Sequence, residues 1–227
     1  LCVFIISRVC RGLEYAHNYG GLRLVHRDIC PSNVLVTYGG EVKLTDFGLA
    51  QSTLKEEQTV PGKLFGRFSY LAPEQARREE LDGRTDLYAT AIILWEMLTG
   101  QQMRPGPHLD AGLALRQARD GKVTPPSARN PAIPPALDAI VVKGLQLDRD
   151  QRYSSAEELR RALATMLARL APAFDSGGLA AFMRQLFATE MDAAAQERQH
   201  LLNKDYTTFR RRSSSPYGPT PPPIHVP

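Results

Sequence analysis

The stretch from His26 to Gly48 limits the fold more tightly than any other part of the chain. It reads His26-Arg27-Asp28-Ile29-Cys30-Pro31-Ser32-Asn33, then Val34-Leu35-Val36, a turn at Tyr38-Gly39-Gly40, then Val42-Lys43-Leu44-Thr45 and Asp46-Phe47-Gly48. Two short apolar runs around a glycine pair predict a β-hairpin turning at Gly39-Gly40. Asp28 and Asn33 then share the loop before the first strand, and Asp46 follows the second. Two carboxylates and an amide gathered at strand ends supply oxygen ligands for a divalent cation and leave one carboxylate to accept a proton.

Further on stands Ala72-Pro73-Glu74. The order His-Arg-Asp, four residues, Asn, then Asp-Phe-Gly, then Ala-Pro-Glu resembles the protein-kinase signature set. The resemblance covers roughly residues 1–170 and is nearest to bacterial eukaryotic-like serine/threonine kinases. It implies a mainly α fold with a small β-hairpin, the large lobe of an α+β kinase fold, and it implies ATP and Mg2+ as cofactors. By resemblance Asp28 orients the substrate hydroxyl and accepts its proton, Asn33 and Asp46 hold Mg2+ against the ATP phosphates, and Leu35 lies beneath the adenine ring. His26 and Phe47 match buried structural positions. Arg27 resembles the arginine that meets a phosphate on the activation segment. Arg152 matches the arginine that pairs with the glutamate of Ala72-Pro73-Glu74.

The remaining patterns agree with such a lobe. Cys2, Ile6, Val9, Leu13 and Ala16 form one stripe at helical period over residues 2–17, and Gly20-Gly21 ends that helix. Residues 49–71 have no clean period and hold Ser52, Thr53, Thr59, Pro61, Gly62 and Gly66, which predicts a long mobile loop. The resemblance makes it an activation segment, with Thr59 the preferred acceptor ahead of Thr53 and Ser52. Thr85-Asp86 is read as the cap of a helix from Leu87 to Thr99, closed by Gly100 and apolar on nearly every side, so central to a core. By resemblance Asp86 also ties down the catalytic loop. Short helices are expected over 109–120 and 136–147, and Ser154 with Glu157 forms a capping-box pattern before another. Asp175-Ser176-Gly177-Gly178 breaks the chain, and one amphipathic helix is expected from Leu179 to Leu202. The domain reading is a lobe at 1–170, a helical extension at 171–203 and a disordered basic, Pro-rich tail at 204–227.

Two positions depart from the kinase pattern together. Cys30 stands where the family usually has lysine, and Arg67 follows Gly66 where it usually has threonine. Either Arg67 reaches back to Asp28 and replaces the missing cation, or it points to solvent and the site is weakened. Cys30 is either a thiol beside a cation or a small inert filler. No Gly-x-Gly-x-x-Gly run occurs, and the first lysine is Lys43. Leu1 already lies within the first helical stripe, so the expectation is a lobe whose smaller partner lies upstream. Positioning contributes ~7–11 kcal/mol to a reaction barrier, so this lobe alone is expected to be nearly inactive.

Bulk properties exclude several classes. The longest early apolar run, Leu1–Ile6, cannot span a bilayer. Three cysteines without metal-like spacing point to a reducing, cytoplasmic setting. Much of the net charge of +4 comes from Arg210-Arg211-Arg212, which reads as a solvated tail rather than a nucleic-acid surface. The expected partners are ATP and a protein substrate with a Ser or Thr hydroxyl, because Pro31-Ser32 stands where tyrosine kinases carry arginine near the asparagine. The alternative is a scaffold that keeps the kinase fold without turnover.

Overall fold

The computed structural model describes residues 1–21, 23–47, 68–104 and 111–213, with 111 and 203–213 as backbone only. It divides into two compact units, Leu1–Ala180 and Ala181–Pro227. The first therefore takes in 171–180, which the sequence reading assigns to an extension. Its elements are α1 (Cys2–His17), β1 (Val34–Val36), β2 (Val42–Leu44), α2 (Pro73–Arg77), α3 (Gly83–Thr99), α4 (Ala111–Asp120), α5 (Pro135–Gly144), α6 (Ala156–Leu170) and the start of α7 (Ser176–Leu186). The mainly helical fold with one two-stranded antiparallel sheet is the expected one.

Helix α3 is the pillar. Every side chain from Thr85 to Trp95 is buried, so α1, α5 and α6 all pack against it. Helix α1 turns Ile6, Val9, Cys10 and Leu13 inward, each at most 1% exposed, and lies along α6 as well as α3. A fully buried Leu or Ile contributes roughly 1.5–3 kcal/mol, so this stripe alone explains why a helix with no side-chain cap is held. At Gly144 the backbones of α5 and α3 approach so closely that a Cβ would sit 2.7 Å from that of Ala91.

Several boundaries differ from expectation. The cap of α3 is Asp82, whose Oδ1 accepts from the Arg84 N–H at 2.9 Å, and Thr85-Asp86 form the first turn. The position after the cap has room only for glycine: a Cβ on Gly83 would lie 2.7 Å from His17 Nδ1. The box before α6 is shifted by one residue. Ser155 accepts from the Glu158 N–H, while Ser154 donates its N–H and hydroxyl to the Glu158 carboxylate at 2.7 and 2.8 Å. Asp175-Ser176-Gly177-Gly178 does not break the chain; Asp175 Oδ1 accepts from the Gly178 N–H at 3.0 Å and opens α7.

The second unit is described by itself. Beyond the end of α7 it holds α8 (Ala188–Ser213). Two helices thus replace the single one expected to Leu202, and helix rather than disorder continues past Lys204 to Ser213. Residues 214–227 lie outside the described residues. Among the described residues no helix is long and apolar enough to cross a membrane.

Candidate active site

The loop after α1 is fixed by a side chain from α3. Asp86, 1% exposed, accepts the Arg27 N–H at 2.7 Å on Oδ1 and the His26 N–H at 2.9 Å on Oδ2. His17 at the end of α1 donates Nε2–H to the same Oδ2 at 2.8 Å. A plain cap would satisfy its own helix; Asp86 instead satisfies a loop remote in sequence. His26 is fully buried and donates Nε2–H to the Thr45 carbonyl at 2.8 Å, which fixes the neutral tautomer and leaves Nδ1 facing the Asp28 N–H at 3.3 Å. Its ring packs on Phe47 with centroids 4.5 Å apart. These two rings therefore link the Asp28 loop to the Asp46 turn.

The three polar residues singled out by sequence are drawn to one end of the hairpin. Asn33, 3% exposed, donates from Nδ2 to the Asp28 carbonyl at 2.8 Å and to Asp28 Oδ2 at 3.2 Å. Its own carbonyl accepts the Thr45 N–H at 3.0 Å, just outside the β1–β2 register of Val34 on Leu44. Asp46 is the next residue and is exposed. Arg27 and Asp46 both adopt left-handed backbone, at φ 68° and 63°. Such non-glycine residues cost ~1–3 kcal/mol each and persist where the surroundings over-determine them. Leu35 turns an apolar side chain outward, 49% exposed, opposite Lys43 in the ladder.

Helix α2 joins the same loop. Gln75 donates Nε2–H to the Arg27 carbonyl at 2.9 Å and accepts from the Ala72 N–H at 3.0 Å. Glu74 is bound by Arg152 through two 2.8 Å hydrogen bonds, with Thr85 donating to the same carboxylate at 2.9 Å. Burial pushes the Glu74 carboxyl upward, but the Arg152 hydrogen bonds and charge, with those from backbone and Thr85, hold it below its ordinary value. Sequence patterns gave no sign of His17 or Gln75, nor of Thr85 as a donor to Glu74, because these roles arise only when distant elements meet.

Cys30 is 3% exposed with Sγ 3.1 Å from the Ser32 hydroxyl, as a packed filler would be. Arg67, and with it Ser52, Thr53 and Thr59, lies outside the described residues. The buried Arg27 Nε has no hydrogen-bond partner among the described residues.

The donor set fits a cation that arrives with phosphate. Mg2+ is usually held by one or two carboxylates plus phosphate oxygens and water. Among the described residues no three His, Cys, Asp or Glu side chains form a complete cage. Asp46 offers a solvent-facing carboxylate, and the Nδ2 bonds of Asn33 leave its Oδ1 as the acceptor atom. A cavity of about 1000 Å³ lies behind the hairpin instead, between α1 and β2, and reaches the site only at Phe47.

Comparison with known proteins matches this geometry. The protein kinase domain model aligns with residues 1–163. Tyrosine-protein kinase MasK of Myxococcus xanthus is 35% identical over 191 residues, 82% of this chain and 29% of that protein. A probable serine/threonine-protein kinase of Streptomyces coelicolor, SCO3848, is 40% identical over 154 residues, 67% of this chain and 22% of its own length. The chain thus spans less than a third of the curated relatives it matches. The PknI kinase domain of Mycobacterium tuberculosis superposes with a TM-score of 0.51 at 29% identity, covering 72% of this chain and 53% of that domain. With the family model aligned to residues 1–163, most of its length, this chain belongs to the protein kinase family.

Proposed function

We propose that the chain is the large lobe of a serine/threonine protein kinase, which transfers the terminal phosphate of ATP to a protein hydroxyl. The observation that carries this reading is the Asn33 amide, which clamps Asp28 while its carbonyl anchors the strand leading to Asp46. Mg2+, when bound, supplies the positive charge that neutralises the transferring phosphoryl group. Asp28 is the base: its carboxylate is oriented by Asn33 Nδ2–H and takes the proton of the incoming hydroxyl at Oδ1 or Oδ2. Asn33 Oδ1 and the Asp46 carboxylate are the residues that would hold the metal, with Leu35 offering an apolar floor to the base of the nucleotide. Arg27, whose buried Nε has no hydrogen-bond partner among the described residues, is proposed by family resemblance to meet a phosphate on the segment that follows Phe47. Arg67 is retained as the candidate cation for Asp28.

In this reading a second lobe supplies the glycine-rich loop and the phosphate-gripping lysine that complete a kinase nucleotide site. The lobe alone binds nucleotide on one side only and is close to inactive. The setting proposed is cytoplasmic, with no nucleic-acid partner. Cys30, in place of a lysine, favours a second reading, a scaffold that binds without transferring. The test is incubation of the protein, its small lobe in cis, with ATP, Mg2+ and casein, followed by phosphoamino-acid analysis. Phosphoserine or phosphothreonine is expected; phosphotyrosine would move the chain towards the MasK-like activity, and nucleotide binding without transfer would favour the scaffold.

A further inference from the structure

We propose that residues 171–180, which lie beyond the segment matched to the kinase domain, form a clamp that positions Asp46 by gripping the tip of the β1–β2 hairpin. The inference rests on the function proposed above only in what the clamp is for; the clamp itself is a matter of packing.

The hairpin is a lever with the site at one end. Asn33 enters it and Asp46 leaves it, joined by the Thr45 N–H bond to the Asn33 carbonyl. At the other end the turn closes through Thr37 N–H to the Glu41 carbonyl at 2.9 Å and Gly40 N–H to the Thr37 carbonyl at 3.0 Å. A three-residue-per-strand ladder is too short to hold its own geometry in water. Its stiffness must come from what it lies against.

Two glycines mark those contacts. On the α1 side, a Cβ at Gly12 would come 3.2 Å from Leu44 Cδ1, so the helix backbone rests directly on β2. At the tip, Gly40 is buried at φ 79°, and a Cβ there would lie 2.0 Å from the Ser176 carbonyl oxygen and 2.9 Å from the Ala180 nitrogen. The first turn of α7 therefore sits on the backbone of Gly40. That turn is anchored: Asp175 caps it, Phe174 packs edge-on against Phe4 of α1 at 5.4 Å, and Leu179 is fully buried. Gly39, one residue away, meets only the Thr37 hydroxyl at 3.7 Å. The tight fit is thus specific to the one glycine that faces α7.

Leu179 and Gly40 are accordingly positioning residues. Without the clamp, the tip lifts, and the Thr45–Asn33 bond that registers Asp46 opens more often.

Amide hydrogen exchange on the 227-residue chain tests this. Leu179→Ala is expected to speed exchange at Thr37 and Thr45 by about 10-fold or more while the amides of α3 keep their rates. Gly40→Ala is expected to speed exchange at Ala180 as well as at Thr37 and Thr45, because the collision acts on both sides; Gly39→Ala should change none of them. The double variant should exchange no faster at Thr45 than the faster single variant. Unchanged Thr45 exchange in folded Leu179→Ala overturns the clamp. So does a Gly40→Ala variant that loosens the hairpin and leaves Ala180 untouched, since backbone strain alone would do that. In the two-lobed enzyme, Leu179→Ala should raise the Mg2+ concentration for half-maximal rate about 5-fold with the KM for casein unchanged. If the two-lobed protein transfers no phosphate at all, the functional reading fails while exchange still decides the clamp.

Discussion

Arg152 grips Glu74 through two hydrogen bonds of 2.8 Å across 78 residues of sequence. Both side chains are essentially sealed from solvent, at 0% and 3% exposure. The guanidinium also donates to the carbonyls of Arg84, Gln146 and Leu147 and lies 4.6 Å from the centre of the Tyr88 ring. One arginine thereby fixes α2, the start of α3 and the loop before α6 in a single arrangement. A pair desolvated this fully adds geometric definition more than net stability.

Truncating one partner should therefore cost far more than replacing both. Arg152→Met is expected to lose about 3–5 kcal/mol, because Glu74 is left charged and buried. The double variant Glu74→Met/Arg152→Met should recover most of that loss. Urea unfolding of the four members of the cycle measures it.

The same pair sets an acid limit. Glu74 titrates below its ordinary value when folded, so its contribution is complete at neutral pH and is lost on acidification. The loss should begin near the unfolded carboxyl value of about 4.3 and continue down through the lower folded one. Stability measured against pH should flatten over that window in Glu74→Gln, which has nothing to titrate.

Asp86→Asn should injure the site more than the fold. The carboxylate accepts three donors, the N–H groups of His26 and Arg27 and the ring of His17, whereas an amide turns one of these positions into a clash of donors. Displacing the Asp28 loop by about 1 Å is expected to lower kcat about 10²-fold in the two-lobed enzyme. Exchange at the His26 and Arg27 amides should rise in parallel.

Left-handed backbone outside the site offers a contrast. Arg78 ends α2 at φ 60°, a position suited to glycine. Arg78→Gly should stabilise the chain by about 0.5–1 kcal/mol and leave phosphate transfer intact. Asp46→Gly relieves the same kind of strain, at φ 63°, and should gain less stability while abolishing transfer. Thermal melts and kinase assays on the two variants separate strain kept for function from strain that is incidental.

Local chemistry was legible in the sequence and long-range pairing was not. The α1 stripe, the hairpin around Gly39-Gly40 and the apolar α3 follow from residues close together in the chain. Caps slipped where two candidates compete: Asp82 won over Thr85-Asp86 because Gly83 must pass against His17, and Ser155 won over Ser154 because only one of two adjacent serines faces the Glu158 N–H. The helix beyond Lys204 was hidden by its charge, since extending an existing helix needs no new nucleus and tolerates polar residues. Asp28, Asn33 and Asp46 were legible as motif members, but the Asn33–Asp28 hydrogen bond and the roles of His17 and Gln75 depend on elements that meet only in the folded chain.

The most direct measurement is the rate of phosphate transfer from ATP to casein by the two-lobed protein carrying Asp28→Asn. The variant keeps the hydrogen bond from Asn33 to the main-chain carbonyl at position 28, can still accept from Asn33 Nδ2–H through its amide oxygen, and loses the carboxylate that takes the proton. A fall in kcat of about 10²–10⁴-fold, with the KM for ATP little changed, is the expected result. Transfer at the unsubstituted rate would contradict the assignment of Asp28 as the base and, with it, the reading of this hairpin as a phosphoryl-transfer site.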